Sequence, residues 1–506
     1  MKPRLDLAAW VAASPGRAVI VFLALHAAVW TLLPTLLYPN LPLDVIEALT
    51  YGREWQLGYD KLPPLPWWLA EIAYQVVGHD FAYYALSQIS VVTALGVVFL
   101  TARPLVGALP ALVCVLIIDG LHYFNYTSPQ FNHNVIQLPF WALAGLALHR
   151  GLRQRKIADW FLLGLTVGIA LWAKYFVVVL AAPMVAFALV DREARQCLKT
   201  PGPYIAVAVA LVVTAPHLVW LVKNDFVPLG YVEQHAVASR GWYDHLWHPL
   251  QFAIGQFAFM IPALLIAAAL FYPRRRADEA PPAFAADAYD LRIVTWLAFG
   301  PVATVLAMSA VSGRGTVANW GYPLWLFLGL WLVLFARRAI DGPRLARVLG
   351  TWAVVFVCLG LVSVMDYAVL PHFDHRYRAV FFPGDALGHE IDRRFRAVTG
   401  QKLVYVIGGI WEGGNIAHYA PSHPRVLIDG KPSRTPWIDL NDLRARGAAV
   451  VWIGGDPNVI PIQYRNIAGD AAVQPPITLP YRRGAGGVTI GWAILLPQRS
   501  YAGGLR

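Results

Sequence analysis

Eleven apolar runs of roughly membrane-spanning length dominate this chain of 506 residues. A helix needs about 20 apolar residues to cross a bilayer, and lipid forces the backbone to satisfy its own hydrogen bonds. The chain is 58% hydrophobic and only 14% charged, whereas soluble domains carry about 25% charged residues. The sequence therefore predicts a polytopic α-helical membrane protein. The predicted spans are 18–37, 81–101, 105–121, 135–149, 158–173, 175–190, 204–222, 251–272, 291–311, 320–336 and 348–370.

Basic residues are concentrated in every second connecting loop, and cytoplasmic loops are the ones that favour Lys and Arg. The Lys- and Arg-rich set includes the first 17 residues and the clusters at 150–156 and 274–276. This bias predicts a cytoplasmic N-terminus, and it accounts for the net charge of +11 without nucleic acid as a partner. The cation-poor loops, which we expect to face the other side, are 38–80, 122–134, 223–250 and 312–319, and residues 371–506 follow the last span on that same side.

Residues 371–506 differ in character from the rest of the chain. Strand-like runs occur at 402–407, 425–428, 448–453 and 487–496, helical patterns occur at 385–399 and 439–446, and Gly and Pro separate them. We therefore predict two domains. Residues 1–370 form the membrane domain, and residues 371–506 form a small soluble α/β domain on the outer face.

A dense polar loop between Tyr38 and Leu69 follows the first apolar run. Charges beside hydrocarbon are costly unless they pair or line a wet cavity, so this loop needs a functional reason. Asp44 is a candidate general base that would take a proton from an acceptor hydroxyl. The alternative is a helix cap, with Glu47 at the capping-box position. The sequence leaves both roles open.

Lys61 lies in the same loop, next to Asp60 and just before the stiff Pro63–Pro64 pair. A lysine at the membrane surface can bind a lipid phosphate as a point charge. The alternative is an interfacial lysine that extends its ammonium group into water, which is common. Spacing alone slightly favours the second interpretation.

Asp44, followed fourteen residues later by the run GYDKLPPLPWW, resembles the first-loop signature of bacterial family 39-type glycosyltransferases. These belong to the GT-C superfamily, with the protein O-mannosyltransferases, the aminoarabinose transferases of lipid A and the galacturonosyltransferases of rhizobial lipopolysaccharide. In the family pattern, Glu directly follows the Asp that corresponds to Asp44. Here Val45 follows Asp44 and the acid reappears as Glu47, which is closer to the galacturonosyltransferase-like branch.

Three later stretches extend the resemblance over roughly residues 15–340. They are Ser128–Leu143, Trp220–Gly241 and Val311–Trp325, each of which combines predicted outer-loop residues with part of a neighbouring span. For Asn132 the alternative of a helix cap is favoured. Lys174 is either a polyprenyl-phosphate contact or a turn lysine at the interface. The candidate donor-phosphate and substrate contacts are Arg53, Asp60, Lys61, His133, Asn134, Lys174, His235, Arg240, Arg314, Asn319 and Trp320.

The resemblance implies an inverting glycosyltransferase of the bacterial inner membrane, with its site in the periplasm. Its donor is a sugar on polyprenyl phosphate, and its acceptor is an envelope glycolipid or glycan. Among these acceptors, lipid A or lipopolysaccharide is favoured. Asp44 or Glu47 would be catalytic, and Lys61 with Arg240 or Arg314 would neutralise the leaving phosphate. No cofactor is certain. A divalent metal is left open at Asp60, Glu54 and His235, although no ligand spacing supports one. We expect a monomer among membrane lipids.

Two other functions fit parts of the sequence. A transporter or flippase of a lipid-linked solute would also need many spans and a few charges near the membrane. However, the charges here lie in outer loops, whereas transporter sites lie near the bilayer midplane. A protein O-glycosyltransferase would use the same donor with a different acceptor.

Overall fold

A computed structural model of the protein describes residues 6–230, 237–272, 282–374 and 376–498. The chain divides into two compact units, and the segments of the two units alternate along the sequence. The first unit consists of Met1–Pro34, Asp60–Leu65 and Tyr83–Ser363, and the second consists of Thr35–Tyr59, Pro66–Ala82 and Val364–Arg506.

The first unit is helical, and its core is one continuous cluster of aliphatic and aromatic side chains. Short 3-10 turns at His122–Phe124, Tyr175–Val177, Ala194–Lys199 and Ala318–Gly321 connect several helices. Its helices are α1 Leu7–Ala13, α2 Pro15–Leu37, α5 Phe81–Val106, α6 Ala108–Asp119, α7 His133–Gln154, α8 Ile157–Ala173, α9 Val178–Val190, α10 Gly202–Lys223, α11 Asp244–Phe271, α12 Ala288–Ser312, α13 Leu328–Ala336 and α14 Gly342–Val364.

Each of the eleven predicted spans overlaps a helix of the structure. Six helices in the described ranges are long and apolar enough to cross a membrane, so the exact number of crossings stays a prediction. The prediction of a continuous helix over 320–336 is wrong, because α13 begins only at Leu328. Residues Ala318–Gly321 form a 3-10 turn ahead of it.

The second unit combines two helices from the early loop with the C-terminal α/β region. Its sheet has the strand order β2-β1-β3-β5-β4, in which β1 pairs in parallel with β2 and β3, and β5 runs antiparallel to β3 and β4. The elements are α3 Leu43–Gly52, α4 Leu65–Val77, α15 Gly384–Thr399, β1 Tyr405–Gly408, α16 Ile410–Tyr419, β2 Arg425–Ile428, α17 Leu440–Arg446, β3 Ala448–Ile453, α18 Ile462–Ala468, β4 Ala472–Pro480 and β5 Gly487–Leu495.

Both faces of this sheet are buried over β1, β2, β3 and most of β5. On β3, Ala449 and Val451 belong to one apolar cluster, whereas Val450 and Trp452 belong to another. Successive side chains of a strand point to opposite faces, so a strand buried on both faces is apolar throughout. This explains why β1, β2, β3 and β5 were recognised in the sequence as short apolar runs.

Strand β4 and helices α16 and α18 were not predicted. Strand β4 contains Pro475 and Pro476, and its pairing with β5 is irregular between Gln474 and Ile477. It lies at the edge of the sheet, which is where a strand tolerates proline. Helix α16 contains Gly413 and Gly414, which lower helix propensity by about 1 kcal/mol each. Tertiary packing overrides that preference.

Candidate active site

Asp44 is the second residue of helix α3, and its side chain is half-buried. The residue at the N-cap position is Pro42, and no side chain caps this helix. The alternative interpretation of Asp44 as a helix cap is therefore wrong. A carboxylate in the first turn of a helix interacts favourably with the positive end of the helix dipole. Glu47 lies one turn further on and is buried, with 6% of its surface exposed.

An aromatic cluster holds the other end of α3. The Tyr51 ring stacks on the Trp67 ring with 4.4 Å between centroids, and Tyr59 packs edge-on against Trp67 at 4.7 Å. Trp437, from the C-terminal part of the same unit, closes the cluster at 5.5 Å from Tyr59. The Tyr59 hydroxyl donates a 2.8 Å hydrogen bond to the carbonyl of Tyr51, and burial raises the pKa of this phenol. Tyr59 in the GYDK motif therefore has a structural role.

Arg53 and Glu54, which follow α3, contact the C-terminal part of the second unit. The Arg53 guanidinium donates hydrogen bonds to the carbonyls of Pro424 and His423, at 3.1 and 2.9 Å. Glu54 receives two hydrogen bonds from the Arg425 guanidinium. These contacts give both charges a role in anchoring α3. They do not depend on a bound phosphate or metal, and no sequence pattern indicated them.

In the first unit, the structure brings Lys61, His133 and Lys174 together. The Nε2 atom of His133 lies 3.1 Å from the carbonyl oxygen of Pro63, two residues after Lys61. His133 is the first residue of α7 and lies before the predicted span. Burial, and then the positive charges of Lys174 and Lys61, lower the pKa of His133 to about 3. The imidazole is therefore neutral at physiological pH, and the cluster carries its positive charge on the two lysines.

Lys174 lies between α8 and the following 3-10 turn and is buried, with 8% of its surface exposed. Its Nζ donates a 2.6 Å hydrogen bond to Oδ1 of Asn134. The same ammonium lies 5.3 Å from the Phe176 ring centroid and 5.1 Å from that of Trp320, within the range of a cation–π interaction. An interfacial lysine of the ordinary kind keeps its ammonium in water, so that alternative is wrong for Lys174.

The other predicted contacts are placed as follows. Asn132 caps α7 by accepting hydrogen bonds from the backbone N–H groups of Asn134 and Val135, which confirms the structural role favoured for it. Arg314, Asp60 and Trp320 are half-buried, whereas Asn319 and Arg240 are exposed. His235 lies outside the described residues. A bridge between Val237 and Gly315 joins the segments that carry Arg240 and Arg314.

The metal left open by the sequence has no complete ligand set in the described ranges. No group of three His, Cys, Asp or Glu side chains that could hold an ion occurs there. Glu54, one of the three candidate ligands, has its carboxylate bonded to Arg425.

Comparison with known proteins finds similarity to several of them in sequence and in fold. The family model described as dolichyl-phosphate-mannose-protein mannosyltransferase matches residues 61–220. Two proteins of Rhizobium johnstonii are similar. The lipid A galacturonosyltransferase RgtD is 26% identical over 306 residues, which is 57% of this chain and 60% of RgtD. The lipopolysaccharide core galacturonosyltransferase RgtB is 29% identical over 219 residues, which is 40% of this chain and 42% of RgtB.

The structural match extends over nearly the whole chain. ArnT from Cupriavidus metallidurans in the apo state superposes with a TM-score of 0.60 and covers 95% of this chain and 98% of ArnT, at 13% identity. ArnT bound to undecaprenyl phosphate superposes with a TM-score of 0.57 and covers 96% of this chain and 99% of ArnT, at 14% identity. The chain therefore has the GT-C fold of ArnT. The GT-C fold thus includes the helical first unit and the C-terminal sheet region, whereas the aligned sequence of the curated relatives spans 60% or less of their length.

Proposed function

We propose that this protein is an integral-membrane glycosyltransferase that moves a sugar from a polyprenyl-phosphate donor to an acceptor in the bacterial envelope. The single observation that carries the proposal is the buried Lys174, held by Asn134 beside Lys61 and His133 in a chain with the GT-C fold. Two ammonium groups around a neutral imidazole form a positively charged region, which suits a lipid phosphate.

Burial makes the two lysines more effective. A charge near the leaving oxygen stabilises the transition state more strongly where water is excluded, because the local dielectric constant is lower. The indole of Trp320 and the ring of Phe176 shield the Lys174 ammonium without neutralising it. The lysines therefore bind the phosphate best when its bond to the sugar breaks and negative charge accumulates there. The helical first unit would receive the isoprenoid tail.

The transfer step follows from these roles. Asp44 takes the proton from the acceptor hydroxyl as its oxygen attacks C1 of the sugar. The new bond between the acceptor oxygen and C1 forms as the bond between C1 and the phosphate oxygen breaks. Its electron pair leaves with polyprenyl phosphate, which Lys61 and Lys174 stabilise. A single displacement inverts the configuration at C1. Glu47 is the second candidate base, but it is less accessible than Asp44.

The relatives guide the choice of donor and acceptor. RgtD and RgtB are named for the transfer of galacturonic acid to lipid A and to the lipopolysaccharide core. We therefore propose a glycolipid of the outer envelope as the acceptor and a galacturonosyl polyprenyl phosphate as the first donor to test. The site, with the C-terminal region, faces the periplasm from the inner membrane in this proposal.

A reconstituted transfer assay tests the function directly. The purified full-length protein is placed in vesicles with galacturonosyl undecaprenyl phosphate and lipid A, and the products are identified by mass spectrometry. We expect lipid A to gain one hexuronosyl mass and undecaprenyl phosphate to appear in equal amount. Movement of intact donor across the bilayer without a glycosylated product would instead identify a flippase.

A protein acceptor is the second candidate, because the matching family model is named for protein mannosyltransferases. The same vesicles, loaded with mannosyl undecaprenyl phosphate and a Ser- and Thr-rich peptide, distinguish a protein acceptor from a lipid A acceptor. Glycosylated peptide without glycosylated lipid A would favour the protein acceptor.

A further inference from the structure

A cleft of about 420 Å³ opens at one edge of the sheet in the second unit. None of the candidate transfer residues lines it. Its walls come from the segments that follow β1, β2 and β3 and from helix α18. Small-molecule sites usually have volumes of about 300–1,000 Å³, so the cleft has the size of one or two sugar rings.

The position of this cleft follows from the order of the strands. Strand β1 is followed by β2 on one side, and the chain then crosses to place β3 on the other side of β1. The loops after β1 and β3 consequently diverge, and open α/β sheets bind ligands at such a switch point, outside the carboxyl ends of the strands. Here the sequence has Gly408–Gly409 after β1 and Gly454–Gly455 after β3.

Gly454 and Gly455 keep one wall free of side chains. Their φ angles are +85° and +70°, a region that favours glycine, and no atom lies within 4 Å of where a Cβ would stand on either residue. A ligand can therefore approach the backbone here. Next to them, the Asp456 carboxylate is exposed and accepts a 2.8 Å hydrogen bond at Oδ1 from the Asn458 backbone.

The cleft contains both hydrogen-bond acceptors and hydrogen-bond donors. Asp456 and Glu412 provide carboxylates, and Gln463 and Arg465 provide an amide and a guanidinium. The Nε of Arg465 donates to the carbonyl of Ile460, which orients the guanidinium. Burial raises the pKa of Glu412, and the negative charge of Asp429 adds to this shift. Hydroxyl groups both donate and accept, so they are well matched to this mixture.

Charge restricts the ligand further. Asp429 is paired with Arg434, which leaves Glu412 and Asp456 against the single cation Arg465. Phosphates and other anions would face net negative charge in the cleft. A metal ion lacks its ligands, since no suitable cluster of three occurs in the part of the chain that the structure describes.

We propose that this cleft is a carbohydrate-binding site for neutral or amino sugars, distinct from the transfer site. It would hold the glycan of an acceptor or a neighbouring envelope saccharide by hydrogen bonds to ring hydroxyls. The inference concerns binding alone, and its test does not require the chain to transfer sugar.

Equilibrium binding to the full-length protein in detergent tests the proposal. The probes are D-galactose, D-galactosamine and D-galacturonic acid, which share a ring and differ in charge, and binding is measured by saturation-transfer NMR and calorimetry. The variants are Asp456→Ala and Arg465→Ala, both at exposed side chains. The matched control is Asp470→Ala, an exposed carboxylate of the same unit that pairs with Arg444 outside the cleft.

We expect galactose and galactosamine to bind with a dissociation constant of about 1 mM, as is usual for a small polar ligand with few contacts. Galacturonic acid should bind at least about tenfold more weakly because its carboxylate meets Glu412 and Asp456. Each cleft variant should weaken galactose binding about tenfold, since a hydrogen bond to a charged group contributes about that factor. Asp470→Ala should change nothing. The proposal would be overturned if neither galactose nor galactosamine bound, or if both cleft variants bound galactose as tightly as the wild type does.

Discussion

Lys174 Nζ and Asn134 Oδ1 are joined by a 2.6 Å hydrogen bond that links the end of α8 to the first turn of α7. The residue before Asn134 is His133, which contacts the carbonyl of Pro63 in the loop that carries Lys61. These contacts therefore connect the segments that carry Lys61 and Lys174, which lie 113 residues apart in the sequence.

Replacing Lys174 with Met removes the charge while keeping most of the volume. We expect the KM for the polyprenyl-phosphate donor to rise at least about tenfold, because a buried charged hydrogen bond to phosphate contributes about 1.5–3 kcal/mol. Lys174→Arg should restore part of the loss, since the guanidinium has a different geometry. Lys199→Met, at an exposed lysine, is the control. Unchanged donor kinetics in Lys174→Met would assign Lys174 to packing.

Asp44→Asn tests the general base. Asparagine has nearly the same size but cannot take up the acceptor proton, so we expect turnover to fall by about 10²–10⁴-fold with donor binding retained. Asp385→Asn changes another first-turn acid of the same unit, on α15, and should leave turnover within a few-fold of wild type. If Asp44→Asn turns over normally, Glu47 becomes the next candidate.

The lowered pKa of His133 predicts a pH dependence of stability. The imidazole titrates at about 3 in the folded protein and near 6.5 when unfolded. Below pH 6.5 the unfolded chain therefore binds a proton that the folded chain does not. This costs up to about 1.4 kcal/mol of unfolding free energy per pH unit as the pH falls towards 3.

His133→Gln keeps a donor for the Pro63 carbonyl but cannot titrate. Its thermal unfolding temperature should fall less steeply between pH 6.5 and 4.5 than that of wild type. His389→Gln, at an exposed histidine, should retain the wild-type slope. Equal slopes for His133→Gln and wild type would show that burial does not lower the pKa of His133.

Gly52→Ala tests how tightly α3 packs on α4. A Cβ at Gly52 would lie 2.2 Å from the backbone oxygen of Trp67, so the two helices would have to separate. We expect a loss of about 1–3 kcal/mol in unfolding free energy. At Gly350, in helix α14, no atom lies within 4 Å of the corresponding Cβ. Gly350→Ala should be neutral or stabilising by up to about 1 kcal/mol. Similar effects of both changes would contradict the close packing.

A reporter enzyme fused after Arg506 tests the proposed orientation. A reporter that folds only in the periplasm should be active there, because the basic loops place the C-terminal region outside. The matched fusion after Arg155, in a basic loop, should be inactive. Activity of a cytoplasmic reporter at Arg506 would reverse the orientation of the site.

Much of the fold could be predicted because the relevant signals are local. The long apolar runs predicted helices, and the β-branched runs predicted four of the five strands. Helix α16 could not be predicted, because its two glycines are explained only by packing. A Cβ at Gly414 would lie 2.6 Å from the Thr50 hydroxyl and 2.7 Å from a methyl carbon of Ile46.

The contacts of the candidate site also depend on packing and could not be predicted from local sequence patterns. Sequence reasoning identified Lys174 and Asn134 separately, yet their hydrogen bond depends on the packing of α7 on α8. Arg53 and Glu54 were assigned to substrate or metal binding because of their charge, whereas they bond to residues about 370 positions later. Contacts at such separation leave no local pattern in a single sequence.

The pairing of Glu54 with Arg425 has a consequence for biosynthesis. These partners are 371 residues apart, and helix α3, which bears Asp44, also packs on α16. At about 5–20 residues per second, the ribosome makes α3 on the order of tens of seconds before its partners exist. The helix with the proposed base therefore reaches its final surroundings only after α16 and Arg425 have been synthesised. A nascent chain interrupted after the final membrane helix would be inserted in the membrane but catalytically silent.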